Sequence, residues 1–495
     1  MIKKFMASFF MCFVVVFLFS GCGGTSLQKA SQNLTNYEIT ADFDKDTKLL
    51  TCIQTVDYVN PTDVVLDEVC FHLYPNSFDA GVKNSPVSLA DKTKAYPNGV
   101  DYGKIELSTL KVNNVDKQIS IGGVDNTILS VDLNEELYPQ DRVKIYMEYI
   151  VLIPNVIHRF GYGDNTYNFG NFYPVACVYE NGDFMKKPYN SNGDPFYSEM
   201  ANYKVEIKNP ITMVLATTGD KLTSENIDNK TSTKIEAKAV RDFAFILSEN
   251  FKCLSEKIGN TTINYFYFSD KNPEKSLKTS VKSVETFSKL FGEYPYKQLS
   301  VAEANFLHGG MEYPNLVFIS NLVEVYSEYT NVIVHEIAHQ WWYNLVGNNE
   351  FVSSWLDEGL TEYSTLMFYE ENKEYEVNTT ESKSNSLASY LLFVDVYSSV
   401  YGEVDTTMNR ALDEYKSEVE YVYITYVKGM LLFDTLEDVL GRDDFIKCLR
   451  AYFKENCFKI ATPEIMIDVF ERTSKRELAG LFDSWISGKV VLKNY

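Results

Sequence analysis

Val332-Ile333-Val334-His335-Glu336-Ile337-Ala338-His339-Gln340-Trp341-Trp342 sets two histidines four positions apart inside an apolar-periodic stretch. Positions i and i+4 lie on one face of an α-helix about a turn apart, so the spacing predicts a helix that turns both imidazoles toward one metal ion. Glu336 sits beside them, free of the metal. Glu358 follows inside Trp355-Leu356-Asp357-Glu358-Gly359. A carboxylate from a second helix completes three protein ligands and leaves a fourth place for water, the pattern of catalytic zinc. Zinc lowers the pKa of bound water to about 7, so a neighbouring carboxylate can take its proton and return it to a leaving amine. Glu336 is the candidate general base, and one zinc ion per chain is the expected cofactor.

The chain holds five histidines in 495 residues, which makes an accidental H-E-x-x-H rarer than about 1%. A closed structural zinc site is disfavoured, because such sites are rich in Cys and the eight cysteines form no Cys-x-x-Cys pair. Other chemistries lack their signatures: there is no G-x-S-x-G elbow, no G-K-[ST] phosphate loop and no G-x-G-x-x-G fingerprint.

A hydrophobic fraction of 45% with 23% charged residues reads as globular, at a length that suits two or more domains. The formal charge of −22 argues against a nucleic-acid partner, since that affinity rests on clustered Lys and Arg. Residues 1–21 begin with Lys3 and Lys4, run through the apolar stretch Phe5 to Phe19 and end in small residues before Cys22. That is the pattern of an export signal. The end resembles the lipobox of bacterial lipoproteins, with Phe19 where Leu is usual, so Cys22 is the expected lipidation site and the protein is expected outside the cytoplasm, anchored to the membrane. The remaining cysteines show no framework spacing. Cys52 and Cys70, read as lying on neighbouring strands, are more simply buried thiols than a bridge.

Residues 22–35 read as anchor and flexible tether. From 36 to 268, alternating runs such as Val143 to Tyr149 and Tyr203 to Ile207 read as an all-β domain. The period changes at Asn272-Pro273, where Asn can cap and Pro fits a first turn, with Leu277, Val281, Val284, Phe287 and Phe291 following at helical spacing. One more strand-like run, Leu299 to Phe306, precedes a region that reads helical to Ile486, including a long pair over 421–456. Residues 269–495 therefore read as a mostly helical catalytic domain. The fold class is α+β.

Gly309-Gly310-Met311-Glu312-Tyr313 resembles the G-x-M-E-N motif of zinc aminopeptidases. Together with His335-Glu336-x-x-His339, Trp355 to Gly359 and Tyr426-Val427-Lys428-Gly429, it resembles the gluzincin family of aminopeptidase N and leukotriene hydrolase. The resemblance implies a saddle-like β domain followed by a thermolysin-like zinc domain, and peptide substrates. It implies that Glu312 binds the free α-ammonium of the substrate, that Gly309, Gly310 and Met311 border the peptide, and that Tyr426 donates to the oxyanion. Tyr313 replaces the motif's Asn, which bears on the first specificity pocket. The β-domain P-T-x-A-R segment of the family is not found, and Gly193-Asp194-Pro195 to Glu199 looks family-like without obvious chemistry. The chain stops at Tyr495, where larger members add a helical domain, so a more open cleft is expected. Two other readings stay open: an endopeptidase of the same chemistry, and a noncatalytic zinc- or peptide-binding lipoprotein.

Overall fold

The computed structural model describes residues 26–490; the expected signal, residues 1–21, and Cys22 lie outside them. The expected tether is partly built. Ser26 accepts a hydrogen bond from the Lys29 amide to cap a short helix, Leu27–Ala30, and Ser31 receives the side-chain amide of Asn202 at 3.0 Å. A polar stretch without apolar periodicity gives no sign that it will be docked in this way.

The N-terminal half is β-rich. Its largest sheet has eight strands, ordered Asp220–Ile227, Lys230–Val240, Ala201–Pro210, Thr35–Asp44, Leu49–Val59, Arg142–Leu152, Lys104–Val112 and Val115–Asp116. Neighbours are antiparallel except Thr35–Asp44 with Ala201–Pro210. Along the latter, Tyr203, Val205 and Ile207 are buried while Lys204 is exposed, the alternation of a half-covered sheet. Two four-stranded sheets pack beside it. Cys52 lies in the large sheet and Cys70 in a smaller one, on Leu66–His72. The two are therefore not on neighbouring strands, and both are free buried thiols.

The second half begins earlier than the change of period suggests. Lys252–Ile258 and Thr261–Tyr267 belong to a five-stranded sheet with Gln298–Ala304, Leu316–Ser320 and Gly310–Met311, the register running Thr262↔Gln298. Alternation marks a strand but not the sheet it joins. Leu316–Ser320 and the two-residue strand Gly310–Met311 are the strands of this sheet that the sequence reading missed, and Val346–Gly347 pairs with Lys459–Ile460 inside the region read as helical. Every residue of Leu316–Ser320 is buried, so this short apolar run carries no period to read.

Helix Pro273–Leu290 forms where expected, but the Asn272 side chain makes no cap; its carbonyl accepts the Lys275 and Ser276 amides instead. Helices Tyr326–Ala338 and Glu358–Glu371 follow, then Thr379–Tyr401, Lys428–Leu440, Arg442–Asn456, Pro463–Ser474 and Ala479–Ile486. Arg241 joins the halves. Its buried guanidinium, just past the end of strand Lys230–Val240, donates to the carbonyls of Ser198, Tyr343 and Lys459, and a Cβ on Gly347 would stand 2.1 Å from its Cζ. No described helix is long and apolar enough to cross a membrane.

Candidate active site

Helix Tyr326–Ala338 ends one residue before His339, which is its C-cap; its amide still donates to the His335 carbonyl at 3.2 Å. Gln340, Trp341 and Trp342 thus lie beyond the helix that the apolar run suggested. The i, i+4 relation survives because the cap keeps helical dihedrals, and the two rings lie 4.8 Å apart.

Glu358 opens helix Glu358–Glu371 and brings its carboxylate to both rings. Its Oε2 lies 3.1 Å from His339 Nε2 and 3.4 Å from His335 Nε2, and the two Nε2 atoms are 3.2 Å apart. Tetrahedral zinc with bonds of about 2.0–2.1 Å separates its ligand atoms by about 3.3–3.4 Å, so the triangle has the size that zinc requires. Among the described residues this is the metal-capable cluster of His, Cys, Asp and Glu, and all three members are buried. Charge agrees with spacing. Burial alone would raise the Glu358 carboxyl, yet the two imidazoles pull it well below its ordinary value. Burial would lower His339, yet Glu358 pushes it to about 10. These groups draw positive charge between them, and the donor set fits a zinc ion.

Each ligand is held from behind. His339 Nδ1 lies 3.1 Å from the Trp342 carbonyl and 3.3 Å from Thr361 Oγ1, and His335 Nδ1 lies 3.2 Å from Glu362 Oε1. Partners of this kind fix the tautomer that leaves Nε2 for the metal. Sequence reading missed Glu362, although its place one turn after Glu358 was the available signal. Glu358 Oε1 accepts the Tyr426 hydroxyl at 2.5 Å. Tyr426 lies in a π-helical turn, Tyr423–Val427, a feature that often re-aims side chains at functional sites.

Glu336 is buried at 6% exposure, and its Oε2 has no hydrogen-bond partner among the described residues. Burial, partly offset by the imidazoles, raises its carboxyl to about 7. A Cβ on Gly310 would stand 2.4 Å from Glu336 Oε1, so only glycine lets that strand edge approach the carboxylate.

A cleft of about 420 Å³ opens over this group, lined by Gly309, Gly310, His335, Glu336, Glu362 and Tyr426, and from the β-rich half by Arg159 and Asp194. Met311 and Glu312 do not line it. Glu312, at 3% exposure, sits behind the wall with its Oε1 unpartnered, and its carbonyl accepts from Asn344. Burial, then the Asp194 charge, push its carboxyl well above the ordinary value. Tyr313 is also buried outside the cleft, donating to Asn171 at 2.7 Å, so the residue that departs from the motif joins the two halves and shapes no substrate pocket directly. Neither Arg159 nor Asp194 was a sequence candidate as a site residue.

Residues 275–485 match the model of the peptidase family M1 domain. The chain is 25% identical over 310 residues to Aminopeptidase 2, mitochondrial, of Saccharomyces cerevisiae, covering 59% of this chain and 30% of that protein. It is 28% identical over 198 residues to Leucine aminopeptidase 2 of Lodderomyces elongisporus, covering 36% and 31%. It thus spans about a third of the length of these curated relatives. A solved M1 zinc metallopeptidase from Deinococcus radiodurans shares the fold with a TM-score of 0.64 at 15% identity, over 92% of this chain and 94% of that one. Domain match, relatives and shared fold agree: residues 275–485 carry a peptidase family M1 domain, in a chain that shares the fold of a solved M1 zinc metallopeptidase.

Proposed function

We propose that this protein is a zinc metallopeptidase that removes residues from the amino terminus of peptides. The observation that carries the reading is the buried triangle of His335, His339 and Glu358 with the unpartnered Glu336 carboxylate beside it at the floor of a cleft. Zinc, when bound by these three, supplies a Lewis acid that acidifies water and polarises a carbonyl.

The chain's own residues do the rest. Glu336, with its proton affinity raised toward neutrality by burial, takes a proton from water and gives it to the departing amine. Glu362, Trp342 and Thr361 hold the imidazoles in place. Tyr426 is the candidate oxyanion donor; its hydroxyl rests on Glu358 and reaches a developing negative charge by exchanging that partner. Gly309 and Gly310 form a wall that a peptide backbone can approach closely. Glu312, whose buried carboxyl favours the neutral form, would gain its charge as a free α-ammonium arrives beside it, which selects such an amine over an internal peptide bond.

The relatives named as aminopeptidases support this reading over an endopeptidase. The test is a pair of fluorogenic substrates, one with a free amine and one N-blocked, given to the zinc-loaded protein with and without chelator. Cleavage of the free-amine substrate alone, lost on chelation, supports the reading; cleavage of the blocked one points to an endopeptidase, and silence on both, with zinc bound, to the noncatalytic alternative.

We further propose that the protein is exported and held at the membrane by a lipid on Cys22, on the strength of the apolar run and small residues before it. Metabolic labelling with a radiolabelled fatty acid tests this, and label that survives Cys22→Ala would refute it.

A further inference from the structure

The chain has five histidines. His335 and His339 belong to the zinc triangle, and His72 Nε2 lies 3.0 Å from the Met185 carbonyl. The other two, His158 and His308, meet edge to face, with ring centroids 5.7 Å apart and planes at 85°. His308, half-buried, lines the cleft immediately before Gly309. His158 stands behind it at 1% exposure, and neither of its ring nitrogens has a hydrogen-bond partner among the described residues. Its other ring neighbours, Phe78 and Phe306, are apolar. A buried imidazole without a partner is costly and calls for an explanation.

The pair is built into the joint between the β-rich half and the catalytic half. The Asn168 side-chain amide donates to the His158 carbonyl and to the Asn305 carbonyl, at 2.9 Å each. The Asn305 amide in turn donates to Thr166 Oγ1 at 2.9 Å. The segments that carry the two rings are therefore fixed against each other.

Zinc binds imidazole nitrogen at about 2.0–2.1 Å, so two rings that share one ion have centroids about 5.2 Å apart at the tetrahedral angle and about 6.4 Å apart when opposed. The observed 5.7 Å falls between those limits. Protonation agrees with spacing: burial lowers His308 from 6.5 to about 4 and takes His158 well below its ordinary value. At neutral pH each ring therefore offers a lone pair. Arg159, the neighbouring cation, is paired with Asp194 at 2.5 Å, which offsets the charge it sets against an incoming ion.

We propose that His158 and His308 form a second metal site, which takes an imidazole-preferring divalent ion such as zinc and blocks the cleft when occupied. An ion on His308 stands beside Gly309 and Gly310, the wall along which a peptide would lie. With two protein donors in place of three, the site is weaker than the triangle and fills only when zinc is in excess. The binding goes beyond the aminopeptidase reading, and the inhibition rests on it.

The test adds further zinc to the zinc-loaded protein and follows binding by calorimetry and hydrolysis by a fluorogenic peptide. The wild type is expected to take a second zinc and, over the same concentrations, to show a raised KM with kcat unchanged. His158→Phe keeps the packing of the ring and removes its nitrogens, and His308→Ala removes the ring. In each, the second binding event is expected to weaken about ten-fold or more, and inhibition, measured against that variant's own activity, to weaken with it. Calcium, which prefers oxygen ligands, is expected neither to bind there nor to inhibit. A wild type that takes no second zinc, or a second zinc retained in both variants, overturns the inference. Binding lost in both variants but without effect on hydrolysis overturns the inhibitory role. Should His158→Phe fold poorly, His308→Ala at the half-buried position decides the question. Calorimetry needs no turnover, so the site is tested even if the peptidase reading fails.

Discussion

Gly359 and Gly429 meet backbone to backbone. A Cβ on Gly359 would stand 2.7 Å from the Gly429 Cα, and one on Gly429 would stand 2.8 Å from the Gly359 Cα. One glycine follows the ligand Glu358 and the other is the second residue of helix Lys428–Leu440, so the contact lies between the elements that carry Glu358 and Tyr426. Gly359→Ala or Gly429→Ala forces the helices apart, at about 1–3 kcal/mol for overpacking. The expected outcome is a lowered melting temperature and a fall in kcat/KM, measured on zinc-saturated protein. Wild-type kinetics in both variants would show that the contact does not position Tyr426.

Glu336→Gln keeps the volume of the side chain and removes its basicity. General acid–base catalysis contributes about 10²–10⁴-fold, so kcat is expected to fall by that order while zinc content, read by atomic absorption, stays at the wild-type level. A variant that loses its zinc would mean that Glu336 serves the metal site and not the proton.

Glu362→Ala removes the carboxylate behind His335 Nδ1. Loss of such an outer partner costs about 10–100-fold in metal affinity or activity. Zinc competition against a chromogenic chelator is expected to show weaker binding, with activity recovering at high zinc. Unchanged affinity would leave His335 oriented by its helix alone.

The metal triangle was legible in the sequence because its geometry is local: an i, i+4 pair on one helix and a carboxylate at the head of the next. The division into a β-rich and a helical half was legible from the change of period near Asn272. What the sequence hid was set by tertiary packing. The hairpin of residues 252–267 alternates like its predecessors but pairs with Gln298–Ala304. The turn at Tyr423–Val427 is π-helical, a departure that residue types do not announce. Asp194 reaches the cleft through Gly193 and Arg159, residues distant from the catalytic helix in sequence. Glu312, which from residue type alone reads as a solvated strand end and is singled out only by its place in the motif, is buried.

Asp242 makes the stability of the β-rich half depend on pH. Its carboxylate accepts from Tyr173 at 2.7 Å, from the Phe243 amide at 2.6 Å and from Asn171 at 2.5 Å, yet burial raises it from 3.8 to about 7. A carboxyl raised in the folded state binds more protons folded than unfolded between those values, so its stabilisation is full below about pH 4 and is lost as pH rises through about 7. Chemical denaturation is expected to show the gap between wild type and Asp242→Asn shifting against the wild type over that window. A gap independent of pH would show that the hydrogen bonds hold Asp242 ionised throughout.

The central claim is that the triad and Glu336 act on free amino termini. The most direct measurement is a mass-spectrometric time course of one unblocked decapeptide with the zinc-loaded protein. The expected result is a ladder of products shortened one residue at a time from the amino terminus, absent with Glu336→Gln and absent after chelation. Internal fragments, or a ladder that persists in Glu336→Gln, would contradict it.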